Sequence, residues 1–180
     1  MKKAKCHCLT TDSLKNDEEG IAMSRKLEGL EDDRRDIKEG LDEATDTGRE
    51  IADTKKRQAA LMEGLTPPED IDREAIRAAM DAVREDARED YKHRSMDAVD
   101  DLSQQSEGLQ RESSESEDET RSSSQRMDQA GGVSEYGKDA ISRASERLNA
   151  TGDEFRALTE RLRTEIEEAK RKAREVEDEI

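Results

Sequence analysis

Tryptophan is absent from the 180 residues, phenylalanine occurs once and tyrosine twice, so an aromatic-centred core is excluded. Two prolines and ten glycines are too few for a succession of hairpins and tight turns. Leu, Ile, Val and Phe together number 25 of the 180 residues, fewer than a compact globule of this length normally buries. No run approaches the roughly 18 apolar residues that a membrane span requires. The basic start Met1-Lys2-Lys3-Ala4-Lys5 lacks the apolar stretch of about 7–15 residues that would follow it in a signal peptide. The sequence therefore reads as cytoplasmic, or as exported by a route without a cleaved leader, and as a chain that does not insert into a membrane.

The only cysteines, Cys6 and Cys8, flank His7. A disulfide between them would close a strained loop. A closed zinc site needs four ligands at wider spacing, and the one other histidine, His93, has no further cysteine to join it. Incidental thiols on a flexible tail over residues 1–20 are the expectation, with no metal and no cofactor.

What the sequence has in abundance is charge. Lys and Arg number 32 and Asp and Glu 48, for a net −16. Nineteen alanines stand beside the Glu, Arg, Lys and Leu, a composition typical of long helices and coiled coils. No long segment is basic, which disfavours nucleic-acid phosphate and anionic lipid as partners.

The strongest pattern lies in residues 21–65. Alternate steps of three and four reach Met23, Leu27, Leu30, Arg34, Ile37, Leu41, Ala44, Gly48, Ile51, Lys55, Gln58, Met62 and Leu65, with charged residues dominating between them. So narrow a stripe, repeating every 3.5 residues, is a coiled-coil seam rather than the broad face of a globular helix. Pro67 and Pro68 then end the helix and open another, with Thr66 or Asp70 as its cap. The second stripe runs Ile76, Met80, Val83, Ala87, Tyr91, Ala98, Leu102 and Leu109, with Ser95 and Ser106 as polar members. A short turn at 66–70 between two long helices predicts an antiparallel hairpin over 21–110.

Eight serines fall between 103 and 124, among acids, Gln and Arg. Continuing the stepping from Leu109 meets Ser113, Ser116, Thr120, Ser123, Met127 and Ala130, a seam with almost no apolar area. Residues 111–132 accordingly read as a Ser/acidic linker or marginal helix, broken at Gly131-Gly132. A last coiled-coil helix over 133–180 begins with Ser134 as its cap. Its stripe is Ile141, Ala144, Leu148, Thr151, Phe155, Leu158, Leu162, Ile166, Ala169, Ala173, Val176 and Ile180. The fold class expected is thus all-α: a long antiparallel hairpin, a polar link and a C-terminal helix.

Motifs of enzymes are sparse. Asp46-Thr47-Gly48 matches the tripeptide of aspartic proteases, but their chemistry needs two carboxylates sharing a proton, and there is no second copy. His93 and Asp97 form a His–Asp pair on a predicted exposed helix, without the concave apolar pocket that a triad needs. The acidic pairs Asp32-Asp33 and Asp100-Asp101 do not follow a calcium loop. No catalytic residue is assigned.

The expected function is non-enzymatic protein–protein interaction or assembly through the seams, by self-association or with a partner protein. Leu27, Leu30, Ile37, Leu41, Ile51, Met80, Val83, Leu148, Phe155, Leu158, Leu162 and Ile166 would supply affinity, and flanking charges would set orientation. In outline the chain resembles the small acidic helical-hairpin proteins that accompany secreted bacterial effectors, which would imply an accessory or targeting role. It has Thr66-Pro67-Pro68 where their best-known group has a Trp-Xaa-Gly turn, and Tyr136 is followed four residues later by Ala140 rather than an acid. A phage or filament structural protein has the same outline. A reading of another class is an acidic nucleic-acid mimic that blocks a basic groove. Residues 67–110 come nearest to it, but Arg73, Arg77, Arg84 and Arg88 punctuate their acids.

Overall fold

The computed structural model describes residues 9–64, 73–129 and 135–179, with side chains over 18–62, 74–129 and 138–179. Helix α1 spans Leu9–Gly64, α2 Arg73–Tyr91, α3 Asp97–Gln129 and α4 Glu135–Glu177. A single π turn, Lys92–Met96, joins α2 to α3 without interrupting the helical path. The protein is all-α. Cys6 and Cys8, the 66–70 turn, the Gly131-Gly132 break, the Ser134 cap, Leu65 and Ile180 lie outside the described residues.

Two expected boundaries move. Residues 9–20 belong to α1 rather than to a flexible tail. Residues 111–129, expected as a linker or marginal helix, continue α3 without a break. The reason lies in two properties of serine. Its hydroxyl can return to a carbonyl of the preceding turn, as Ser116 does to Glu112 O at 2.7 Å and Thr120 to Glu117 O at 2.7 Å, so burial leaves nothing unsatisfied. Its small volume lets a neighbouring helix come close and supply the apolar bulk itself.

The chain forms two compact units. One combines α1 up to Arg35, α3 from Glu107 and α4 up to Arg163; the other takes the remaining parts of the same helices with α2 and the π turn.

In the first unit α3 lies antiparallel to α4. Ser113, Thr120 and Ser124 sit against Phe155, Gly152 and Ser145 respectively. Ser113 Oγ donates to Phe155 O at 2.8 Å, and the Ser124 and Ser145 hydroxyls share a hydrogen bond of 2.7 Å. Leu148, Phe155, Leu158 and Leu162 of α4 are almost wholly buried, while α3 presents buried Ser113, Ser116, Thr120 and Ser123. Large side chains from one helix thus fill the space above small ones on the other. Leu30 of α1 is also buried, Leu27 is half-buried and Ile21 is 52% exposed.

In the second unit α1 runs antiparallel to α2 and α3. Gly48 meets Tyr91 and Ser95, and Gly40 meets Leu102. Ile37, Leu41, Ala44 and Ile51 of α1 are buried, as are Ile166, Ala169, Ala173 and Val176 of α4. Ile51, Ala52, Tyr91 and Val176 form the apolar centre, with Ala87 and Met96 packed on it. Ser95 Oγ donates to Ala44 O at 2.8 Å, which requires close approach of the two backbones. Gly48 makes that approach feasible: a Cβ there would stand 2.7 Å from both Ser95 Oγ and the Tyr91 ring.

The π turn explains a shift in the second stripe. Tyr91, Ser95 and Val99 are all buried, and they are spaced by four. In an α-helix of 3.6 residues per turn such steps drift off the face; the wider π turn keeps all three on it. Beyond it the seam follows Val99, Ser103 and Ser106, whereas Ala98 is only half-buried.

Candidate interaction surface

Of the twelve seam residues expected to meet a partner, nine are buried within their own units: Leu30, Ile37, Leu41, Ile51, Leu148, Phe155, Leu158, Leu162 and Ile166. Leu27, Met80 and Val83 are half-buried. The seams therefore serve mainly to close the protein on itself. What remains for a partner is surface: Ile21 is exposed in the first unit, and several half-buried apolar residues gather in one place in the second.

That place is the end of the α1–α2 hairpin. The last turns of α4 reach α1 at Lys55 and Lys56: Lys55 Nζ donates to Glu179 O at 3.4 Å, and Lys56 Nζ pairs with the Glu179 carboxylate. Past these lysines α1 continues for two more turns, to Gly64. Ala59 and Met62 on α1, and Ile76, Met80 and Val83 on α2, are half-buried there, and Leu61 is 72% exposed.

The strip is flanked by cations. Arg77, Arg84 and Arg88 follow one another at steps of seven and four along one face of α2, all exposed. Lys55 on α1 lies close enough to them that its ammonium titrates below the usual lysine range: partial burial lowers it first, then the charges of Arg84, Arg88 and Lys56. Lys56 moves the opposite way, because its hydrogen bond to Glu179 favours the charged form. The same bond holds the Glu179 carboxyl below the ordinary carboxylate range. Arg84 reaches Asp81 at 3.5 Å and Arg88 reaches Glu85 only at 4.0 Å, loose exposed pairs of little energetic weight. Acids are interleaved with these cations: Asp81 shares the row of Arg77, Arg84 and Arg88, and Glu85, Asp86, Glu89 and Asp90 follow on α2.

The acid end of α4 is what these cations meet. Glu175, Glu177, Asp178 and Glu179 crowd its last turn. Acids at a helix C-terminus are unfavourable to the helix dipole, and lysines from a neighbouring helix offset both that and the unsatisfied terminal carbonyls. Lys55 and Lys56 act as a cap supplied by α1.

The other features singled out in the sequence are placed as follows. Asp46-Thr47-Gly48 lies inside α1, with Asp46 exposed and 3.4 Å from Arg49. His93 Nδ1 and Asp97 Oδ2 are 3.1 Å apart on the solvent side of the π turn. On that side an open groove of about 670 Å³ lies between α1 and α2, lined by Glu50, Asp86, Glu89, Asp90, Lys55, His93 and Arg94 among others. Among the described residues no group of three or more His, Cys, Asp or Glu is placed to hold a metal ion. Nor is any helix there long and apolar enough to cross a membrane.

Sequence reasoning named Met80, Val83, Arg84 and Arg88 but not the nearness of Lys55 to these arginines, which depends on the register of α1 against α2. It also passed over Tyr91 as an anchor. The Tyr91 hydroxyl donates to Ala173 O in the buried interior, and burial pushes its phenol up. Above a pH of about 10 the unfolded chain gives up this proton while the folded protein keeps it, so stability falls as pH rises through the folded value. In an alkaline titration the phenolate absorbance of one tyrosine should rise together with the loss of helical circular dichroism. Tyr91→Phe should move the helical loss to higher pH, and an unchanged profile would show that this phenol is not the linked group.

In comparisons with known proteins, no family model matches the chain, and neither a curated protein nor a solved structure matches it.

Proposed function

We propose that the protein is a non-enzymatic helical interaction module that spends its seams on its own folding and offers the end of the α1–α2 hairpin to a protein partner. The observation that carries this reading is the half-buried Ile76, Met80 and Val83 of α2 with Ala59 and Met62 of α1, beside a Leu61 that is 72% exposed. Burial of such a strip is the usual driving force of helix-in-groove recognition. An accessory of a secreted effector and a filament component are both instances of such a module.

The nucleic-acid mimic is the weaker reading. Mimicry needs acids uninterrupted along one face, whereas on α2 and the π turn Arg84, Arg88 and Arg94 lie beside Asp81, Glu85 and Asp90. The strip also offers apolar surface, which a DNA-binding groove does not seek.

The test is helical circular dichroism with sedimentation equilibrium over a hundredfold range of protein concentration. Helicity that stays constant, with a monomeric mass throughout, is the outcome expected of seams satisfied within one chain. Helicity that rises with concentration would overturn the reading, since the seams would then be meeting other copies.

A further inference from the structure

At the π turn one helix departs from the spacing that its neighbours keep. In the second unit the buried face of α1 runs Ile37, Leu41, Ala44, Gly48 and Ile51, 14 residues in four steps. The buried face of α4 runs Ile166, Ala169, Ala173 and Val176, 10 residues in three steps. Both keep the ordinary spacing of about 3.5 residues per step. Across the π turn Tyr91, Ser95, Val99 and Ser103 are all buried, and those three steps take 12 residues. Three turns of α-helix need about 10.8 residues, so the excess is one residue to within rounding.

The place of the excess is narrowly defined. The amide of Asp97 donates to Lys92 O, five residues back rather than four, so the chain is longer here than an α turn. Lys92, His93 and Arg94 are exposed, and none of them contributes to the core. On either side the helix is held. The Tyr91 hydroxyl donates to Ala173 O of α4, and Ser95 Oγ donates to Ala44 O of α1 at 2.8 Å.

We infer that the π turn holds one residue more than the bundle uses: α2 and α3 are a single α-helix with a residue inserted between Tyr91 and Ser95, stored at the surface so that the seam keeps its face.

An insertion left unabsorbed would rotate everything beyond it by about 100°. Val99 and Ser103 would then leave the buried face. The turn confines the change to its exposed arc and so acts as a length buffer, a place where a residue can be lost without disturbing the packing. Neither α1 nor α4 contains such a turn among the described residues.

Deletion of His93 from the full chain tests this. Loss of its exposed pair with Asp97 should matter little. The variant should keep its helical circular dichroism, and its melting midpoint should stay within about 4 °C of the parent or rise above it. Its crystal structure should show an unbroken α-helix through the site, with Tyr91 and Ser95 still bonded to Ala173 O and Ala44 O. Deletion of Glu43, exposed on α1, is the control. With no surplus to absorb it, that loss should turn Ala44, Gly48 and Ile51 off the buried face and lower the midpoint by more than about 10 °C. A His93 deletion that fails to fold, that melts more than about 4 °C below the parent, or that keeps a π turn would overturn the inference. So would a Glu43 deletion tolerated equally well, since the tolerance would then not belong to the turn.

Discussion

Phe155→Ala is expected to destabilise the protein by about 3–5 kcal/mol, toward the upper part of the range for buried aromatic truncations. Phe155 is the only phenylalanine, is fully buried, and sits on α4 where α3 offers only small side chains. The lost transfer free energy is one part of the cost. The other is the cavity, whose size depends on how far the surroundings can collapse. Here the facing residue is Ser113, whose hydroxyl is bonded to Phe155 O, so it cannot swing into the space without giving up that hydrogen bond. Urea unfolding followed by circular dichroism checks the figure. A loss below about 1 kcal/mol would mean that α3 and α4 are not packed through this residue.

Gly48→Leu is the second large effect, with an expected loss of about 1–3 kcal/mol or more from overpacking. The side chain would enter space held by the Tyr91 ring and Ser95 Oγ. The backbones cannot part to admit it, because Ser95 Oγ is bonded to Ala44 O one turn away. Tyr91→Ala is also expected to destabilise, by emptying the opposite side of the same contact and deleting the bond to Ala173 O. The two together should cost less than the sum of the singles, with a coupling of about 1–3 kcal/mol, since the new leucine can fill the space the ring vacates. Gly29→Ala and Gly108→Ala serve as controls. A Cβ at either meets nothing within 4 Å, so helix propensity should prevail and stabilise by up to about 1 kcal/mol. Additive losses for Gly48→Leu and Tyr91→Ala would show that the two residues do not share one contact.

Much of the fold was legible in the sequence because the seams were. The steps through Ile37, Leu41, Ala44, Gly48 and Ile51, and through Leu148, Phe155, Leu158, Leu162 and Ile166, identify the faces that are buried. Periodicity survives in such residues because each helix must present one stripe regardless of what it packs against. What was not legible is what depends on two helices at once. Ser113, Ser116 and Thr120 look solvated when α3 is weighed alone, and they become core only because α4 supplies the bulk. Val99 escaped because the period changes for one turn at Lys92–Met96, and a strict three-and-four step cannot follow that. The nearness of Lys55 to Arg84 and Arg88 escaped for a similar reason, since it is a matter of register between α1 and α2.

The serine-lined face of α3 bears on how the protein responds to temperature. Exposure of apolar surface is what gives unfolding its large positive heat-capacity change, and exposure of polar surface reduces it. A core in which hydroxyls occupy positions normally held by Leu or Val exposes less hydrocarbon per residue when it opens. The heat-capacity increment should therefore fall below the ordinary value of about 12–15 cal/mol/K per residue. The stability curve is correspondingly flat: the enthalpy of unfolding changes slowly with temperature, and cooling costs this protein less of its stability than it would a leucine-rich bundle of equal length.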